Sequence, residues 1–174
     1  MLEVKSRIPA PPLRFLLAHP AHLIACGFGS GLSPIAPGTA GTLLAWLLWP
    51  GLQAYFHHAG WLAVFLVLLF AVGAAACQIT GRALGVVDHG AMVWDEMVPF
   101  WFVLLFTPPG LAWQLAAFLL FRFYDIAKPQ PARYFDTEVK NGFGVMMDDL
   151  VAAAYTVFTL AVAKSLLDAF WHGA

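Results

Sequence analysis

Long apolar stretches separated by short polar ones dominate the chain. No Asp, Glu, Lys or Arg occurs in the 67 residues between Arg14 and Arg82. Within that stretch Trp61–Thr80 is 20 residues long, the length that an α-helix needs to cross a membrane. Other helix-like apolar runs are Leu43–Phe56, Met97–Phe106, Leu111–Phe121 and Leu150–Ala163. The pattern predicts an all-α, polytopic membrane helical bundle with about four to five spanning or hairpin helices.

Two of these runs, Met97–Phe106 and Leu111–Phe121, are each too short to cross the hydrocarbon core. The segment between them, Thr107–Gly110, reads Thr-Pro-Pro-Gly, which favours a turn because it makes a poor helix centre. We therefore predict a helical hairpin, which lengthens if Trp94–Glu96 and Arg122–Ile126 continue its two helices. A hairpin places the polar residues before and after it on the same face of the membrane.

The segment from Gly27 to Thr42 interrupts the apolar pattern with five glycines, two prolines, two serines and two threonines. Irregular backbone at membrane depth persists only where protein or water satisfies its amides, so we predict a re-entrant Gly/Ser/Pro-rich loop. Two interpretations stay open. The loop is either a turn between apolar helices or a set of amides and hydroxyls that surrounds an anion. The candidate substrate-binding hydroxyls are those of Ser30, Ser33 and Thr39.

Composition separates this chain from soluble domains. It is 61% hydrophobic and 11% charged, against about 25% charged residues in a typical soluble domain. Its 174 residues suit one integral-membrane domain over residues 1–174. The net charge of −1 offers no basic surface for nucleic acid. Cys26 and Cys77 lie in apolar surroundings without metal-site spacing, and we expect both to pack in the interior.

The basic residues fall on one side of the predicted bundle. Residues 1–18 are predicted to form a cytoplasmic tail. With turns at His57–Gly60 and Thr107–Gly110 on the opposite side, most of the remaining bases fall on the side of the tail, namely Arg82, Arg122, Lys128, Arg133 and Lys140. The two turns contain no Lys or Arg. This is the positive-inside pattern, so we expect the polar clusters to face the cytoplasm.

Six of the ten acidic residues form three groups at that same face. They are Asp88, Asp95 and Glu96, then Asp125, then Asp148 and Asp149. Like charges brought together repel one another unless a cation is present. Their convergence would call for Mg²⁺, which takes oxygen ligands and keeps waters for substrate phosphates. The bases Arg122 and Lys128, with Arg82 as a further candidate, would hold a phosphate.

Other interpretations of these charges stay open. Arg122, Asp125 and Lys128 are spaced by three, so Asp125 lies beside both bases on a helix that Pro129 would end. Such side chains also anchor membrane helices at headgroup level. The pair after Asn141–Met147, Asp148 and Asp149, would suit the positive end of a helix dipole. Acidic groups within a membrane also mark ion pathways.

Several phosphatase nucleophile patterns are absent from the chain. There is no Asp-x-Asp-x-Thr, Gly-x-Ser-x-Gly or Ser-x-x-Lys run. The spacing of Cys77 and Arg82 does not match a cysteine phosphatase loop, and His89 lacks a preceding Ser-Gly pair. Phosphate chemistry here would favour a metal-activated water over Ser, Cys or His, and an Asp nucleophile stays open.

Four ordered sequence blocks carry a family resemblance. They read Gly27-Phe28-Gly29-Ser30-Gly31-Leu32-Ser33-Pro34 with Pro37-Gly38-Thr39, then Trp94-Asp95-Glu96, then Arg122-x-x-Asp125-Ile126-x-Lys128-Pro129-x-Pro131, and last Gly142-x-Gly144-Val145-Met146-x-Asp148-Asp149. Together they resemble the phosphatidylglycerophosphatase A family, over a stretch from about His19 to Ala153. The resemblance implies a multi-pass enzyme of the bacterial inner membrane that depends on Mg²⁺, with its active site facing the cytoplasm. Such enzymes remove the terminal phosphate of phosphatidylglycerophosphate, so that lipid and the bilayer are the expected partners.

The resemblance also implies a set of site residues. The expected catalytic carboxylates are Asp95, Glu96, Asp125, Asp148 and Asp149. By our own inference, and not from the resemblance, the expected metal ligands among them are Asp95, Glu96, Asp125 and Asp149. The expected substrate-binding residues are Arg122, Lys128, Ser30, Ser33 and Thr39. Our own division of roles has Asp125 orient Lys128 or share the metal, and one remaining carboxylate activate water.

Two alternative functions compete with the phosphatase. A small cation transporter or channel would also use acidic groups, although these acids lie at helix ends and the central apolar stretches lack them. A structural membrane subunit would use the acids as helix caps and anchors, but it leaves the Gly/Ser/Thr loop unexplained.

Overall fold

The computed structural model describes residues 9–172 as a bundle of α-helices joined by short loops. The helices are α1 (Leu13–Ala18), α2 (Pro20–Ala25), α3 (Pro37–Tyr55), α4 (Ala59–Leu84), α5 (Trp94–Phe106), α6 (Leu111–Ala127), α7 (Ala132–Glu138) and α8 (Gly142–His172). A short 3-10 helix, Gly27–Leu32, links α2 to α3. The predicted all-α class is confirmed.

Two helices are long and apolar enough to cross a membrane. They are α4 and, within α8, Gly142–Trp171. Only 28% and 22% of their most apolar windows are buried inside the protein. Both helices therefore turn large apolar side chains outward, as lipid-facing helices do and as soluble core helices do not. The larger number of spans stays a prediction.

The centre of the bundle is α5, which is buried along most of its length. Nine of its 13 residues are buried, and Met97, Phe100 and Val103 are fully enclosed. Helix α8 packs against α4, α5 and α6, and α3 packs against α5. Because α5 lies in the middle, the residues of its first turn are surrounded by other helices.

The turn at residues 107–110 folds α6 back along α5. Glu96 in the first turn of α5 contacts Arg122 near the end of α6. Closer to the middle of both helices, the rings of Phe100 and Phe121 lie 5.5 Å apart. Contacts at matching heights require antiparallel helices, so the predicted hairpin is confirmed, together with the extension of both helices beyond their apolar runs.

Fewer residues of the Gly-rich segment form a loop than the sequence predicts. Its last residues belong to α3, which begins at Pro37. The remainder turns sharply, with positive φ at Phe28 (54°) and Ala36 (46°). A Cβ on Gly31 would lie 1.9 Å from the carbonyl oxygen of Ala91, so the loop packs directly against the chain that leads into α5. Its re-entrant position in a membrane stays a prediction.

Three other boundaries differ from the sequence analysis. The predicted tail, residues 1–18, includes α1, in which Leu16 is buried, while residues 1–8 lie outside the described part. The polar connection from 130 to 144 contains α7. Helix α8 begins at Gly142, which places Asp148 and Asp149 in its second turn. Because dipole effects fade beyond the first turn, the helix dipole does not account for this pair.

Candidate active site

The three acidic groups converge at one end of the bundle. Asp95, in the first turn of α5, is close enough to feel the charges of Asp88, Glu96, Asp148 and Asp125. Asp149 on α8 feels the charges of the neighbouring acids as well. Asp95, Asp148 and Asp149 are themselves buried, with 6%, 5% and 3% of their surface exposed. The fold thus concentrates negative charge where little water screens it.

Arg122 partly neutralises this cluster from α6. Its Nη1 contacts Oε2 of Glu96 and lies 2.9 Å from Oδ2 of Asp125. The side chains of all three residues are 12–16% exposed, so these are largely desolvated ion pairs. Asp125 precedes the end of α6 by less than one turn, and its spacing of three from Arg122 explains the second contact. Arg122 therefore joins α5 to α6 at the site.

Thr42 on α3 completes this arrangement, although the sequence analysis did not select it. Its hydroxyl lies 3.1 Å from Oε2 of Glu96, and Nη1 of Arg122 lies 3.4 Å from the same hydroxyl. The Glu96 carboxylate also rests on Gly38, where an added Cβ would lie 1.9 Å from Oε1. The first turns of α3 thus form a close support for Glu96. The signal in the sequence was the Pro37-Gly38-Thr39 run, which brings a glycine and hydroxyls to a helix start.

Lys128 holds a second group of charges together. It ends α6 in a left-handed conformation, with φ of 43°. Its Nζ contacts Oδ2 of Asp148 and donates to Oδ1 of Asp136 at 2.7 Å. Burial alone would lower the pKa of Lys128, but the charge of Asp148 and the hydrogen bonds to both acids raise it above the usual range. Lys128 is therefore held as a cation.

Asp125 was expected to orient Lys128 or to share the metal; the first role is wrong, and the second stays a prediction. The ion pairs of Lys128 within residues 9–172 are those with Asp148 and Asp136, while Asp125 pairs with Arg122. The left-handed residue at the end of α6 turns the Lys128 side chain toward α7 and α8. Asp136 was not selected from the sequence, because nothing there indicates that the 130–144 connection folds back as α7.

Two carboxylates of the cluster are left without a counter-charge. Among the described residues, Asp95 and Asp149 make no ion pair. Oδ1 of Asp95 is buried without a hydrogen-bond partner, and so is Nε of Arg122. A buried unpaired carboxylate is costly, and a buried unpaired guanidinium N–H is also unusual. The site therefore has one unused acceptor and one unused donor, as expected where a cation and an anion bind.

The oxygen-rich set fits a hard divalent cation in its chemistry. However, no three His, Cys, Asp or Glu side chains in the described range stand close enough together to hold a metal as they are placed. Glu96 and Asp125, both expected ligands, are occupied by Arg122. Asp95 and Asp149 make no ion pair among the described residues, so of the expected ligands they are the two that no base occupies.

The hydroxyls of Ser30 and Ser33 in the Gly-rich loop have local partners. Ser30 donates to the carbonyl oxygen of Gly27 and Ser33 to that of Ile35, both at 2.8 Å. Thr39 is half-buried in the first turn of α3. These contacts shape the turn, and substrate binding by the three residues stays a prediction. His89 is buried and accepts the N–H of Ala91 at 3.1 Å, so it shapes the approach to α5.

Known proteins are similar to this chain over most of its length. The family model for phosphatidylglycerophosphatase A matches residues 23–164. A phosphatidylglycerophosphatase A of Haemophilus influenzae is 47% identical over 152 residues, covering 86% of this chain and 92% of the relative. One of Escherichia coli is 42% identical over 142 residues, covering 80% of each. A relative of Bacteroides thetaiotaomicron, 41% identical over 82% of this chain and 92% of its own length, is named provisionally as a phosphatidylinositol-3-phosphatase.

No solved structure matches the chain. The matched range includes all of the carboxylates described above, together with Thr42, Arg122 and Lys128. The chain therefore belongs to the phosphatidylglycerophosphatase A family and is a phosphatase.

Proposed function

We propose that this protein hydrolyses phosphatidylglycerophosphate to phosphatidylglycerol and phosphate, using Mg²⁺ at the acidic cluster. The relatives named as phosphatidylglycerophosphatases support the reaction. The observation that carries the site is the buried Oδ1 of Asp95, which has no hydrogen-bond partner and belongs to a cluster of acids whose charges also act on Asp149. The same family membership favours the phosphatase over a cation transporter.

Asp95 and Asp149 are the proposed principal metal ligands, with Glu96 and Asp125 available if Arg122 shifts toward the substrate. When bound, Mg²⁺ would neutralise the acids, polarise the phosphate and lower the pKa of a bound water. Without a cation the cluster would repel a phosphate dianion. The protein itself would hold the carboxylates together in a site that excludes most water.

Arg122 is the proposed phosphate clamp. Its Nη1 is fixed by Glu96 and Asp125, while its buried Nε has no acceptor. A phosphate oxygen would supply that acceptor. Because the guanidinium is planar and already oriented, binding there would lose little side-chain entropy. Lys128, held by Asp148, would add a second positive charge.

In the proposed reaction, a water oxygen attacks the terminal phosphorus while a cluster carboxylate accepts its proton. The bond between phosphorus and the glycerol oxygen breaks, and that oxygen takes up a proton from the cluster, which the proton accepted from the water replaces. Asp148 is oriented for proton transfer by Lys128, which contacts it directly. The products are phosphatidylglycerol and inorganic phosphate, so atoms and charge balance without any further co-reactant.

We also propose that the site faces the cytoplasm in the bacterial inner membrane. Arg82, Arg122, Lys128 and Arg133 lie at or near the helix ends that carry the acids, which agrees with the positive-inside rule. The outward-facing apolar side chains of α4 and α8 support a membrane environment. Helices α3, α5 and α6 would complete a multi-pass bundle.

The test is phosphate release from phosphatidylglycerophosphate by detergent-purified protein, with Mg²⁺, with EDTA, and with Mg²⁺ restored. Asp149→Asn should abolish turnover in a protein that still unfolds cooperatively. Asp168→Asn is the matched control, because Asp168 lies on the same helix in an exposed pair with Lys164. Turnover that persists in EDTA would contradict the metal, and full activity of Asp149→Asn would contradict the site.

A further inference from the structure

A cavity of about 180 Å³, open to the surface, lies between the end of α4 and the start of α8. Its polar lining comes from Gln78, Arg82 and Asn141. The α4 end turns back at Gly85, which has φ of 73°, and the N–H of Val86 bonds to the carbonyl of Gly81 at 3.0 Å. This reversal is a regular way to end a helix. It builds one wall of the cavity.

The two amide side chains present donors to this cavity. Oε1 of Gln78 accepts the backbone N–H of Gly142 at 2.9 Å, and Oδ1 of Asn141 accepts that of Gly144 at 3.0 Å. Each amide has one carbonyl oxygen and one NH₂ group. Because both oxygens are used by backbone N–H groups, both NH₂ groups are left for another partner. The hydrogen bonds thus identify the NH₂ group of each amide as the end that the backbone leaves unused.

Arg82 brings a positive charge to this cavity. In the described part of the chain the exposed Arg82 makes no ion pair with an acidic side chain, a property it shares with other exposed bases. An anion could therefore bind Arg82 without breaking an existing salt bridge. One guanidinium and two NH₂ groups around a small cavity fit an oxyanion with two or more oxygens.

The cavity adjoins the proposed catalytic centre. Its lining residue Val87 is followed directly by Asp88, whose charge acts on Asp95, Glu96 and Asp148. The two phosphates of phosphatidylglycerophosphate are separated by one glycerol unit. When the terminal phosphate lies at the acidic cluster, the second phosphate must lie close by, outside that negative region.

We propose that the cavity lined by Arg82, Gln78 and Asn141 binds the phosphodiester group of the lipid headgroup. This inference rests on the proposed function. It makes Arg82 a specificity residue, since a lipid whose only phosphate is the terminal one would leave the cavity without its ligand. Free phosphate, which resembles the terminal group, would bind at the acidic cluster instead.

The test is binding of short-chain phosphatidylglycerol, which keeps the diester and lacks the terminal phosphate. Calorimetric titration of detergent-purified protein should show the affinity of Arg82→Gln reduced about tenfold or more, as expected for one lost charge-assisted hydrogen bond. Gln78→Glu should weaken binding as well, because it keeps the acceptor for Gly142 but replaces the donor with a negative charge. Arg133→Gln, which removes an exposed base on α7, should bind like the wild type.

Titration with inorganic phosphate distinguishes the two possible sources of the anion, the lipid headgroup and free phosphate. Its affinity should be the same in the wild type and in Arg82→Gln, measured in the presence of Mg²⁺. Equal phosphatidylglycerol binding by the two proteins would overturn the proposal, and so would a parallel loss of inorganic phosphate binding. The titrations need no turnover. A wild type that binds phosphatidylglycerol through Arg82 but releases no phosphate would therefore contradict the proposed reaction alone.

Discussion

The guanidinium of Arg122, near the end of α6, contacts the carboxylate of Glu96 in the first turn of α5. The contact joins the two ends of the helical hairpin at the point where the acidic groups meet. It also brings Asp125 to the same guanidinium, at 2.9 Å. One arginine thus stabilises the hairpin and offsets part of the charge that the site concentrates.

Removing Arg122 should destabilise the fold as well as the site. Arg122→Met leaves Glu96 and Asp125 largely buried without their counter-charge, so the free energy of unfolding should fall by about 3 kcal/mol. Adding Glu96→Gln to Arg122→Met should recover at least about 1 kcal/mol of this loss, because the double variant carries one buried charge fewer. Denaturation of the purified proteins measures both values. Strictly additive losses would show that the two side chains do not interact.

The position of the Glu96 carboxylate should depend on a glycine at position 38. In Gly38→Ala the new methyl group would overlap the carboxylate and move it away from Arg122 and Thr42. We expect kcat/KM to fall about tenfold, equivalent to about 1.4 kcal/mol, with a smaller change in stability because a flexible side chain can yield.

Gly51→Ala is the control for that substitution. Gly51 lies on the same helix with nothing within 4 Å of an added Cβ. There the change should be neutral or stabilise the helix by up to about 1 kcal/mol, with activity unchanged. Equal activity of Gly38→Ala and Gly51→Ala would mean that the position of Glu96 is unimportant for turnover.

The stability that the ion pairs of Lys128 contribute should not change in mildly alkaline solution. A lysine with a raised pKa adds stability that is fully present below its unfolded pKa, about 10.4, and is lost only as pH rises through the folded value. The difference in Tm between the wild type and Lys128→Met should therefore be the same at about pH 8 and about pH 9.5. A difference that shrinks between these pH values would show that Lys128 loses its proton earlier. Such a result would contradict the ion pairs with Asp148 and Asp136.

The hairpin and the convergence of the acids could be predicted from the sequence. Pro108, Pro109 and Gly110 end one helix and begin the next for local steric reasons that do not depend on the rest of the fold. Once the chain turns there, Glu96 and Arg122 must lie at the same end of the bundle. The spacing of Arg122 and Asp125 was also a local feature, and their ion pair follows from helical geometry alone.

The partners of Lys128 could not be predicted in the same way. Its left-handed backbone, the fold-back of α7 and the start of α8 at Gly142 together determine that Asp148 and Asp136 are its neighbours. These depend on packing between segments that are distant along the chain. Thr42 was missed for a related reason, since its contact with Glu96 depends on how α3 is rotated against α5.

Cys26 and Cys77 are both fully enclosed, with no surface exposed. Burial, with a smaller contribution from the charge of Asp95, raises the pKa of the Cys26 thiol to about 11. Thiols react as thiolates and only when reagents reach them, so the folded wild type should be inert to maleimides.

A membrane-impermeant maleimide applied to intact spheroplasts should then label His58→Cys, while Arg133→Cys should react only after the membrane is opened. The reverse pattern would mean that the acidic site faces outward. Because neither natural thiol reacts, a single introduced cysteine reports the orientation of the chain in the membrane without background labelling.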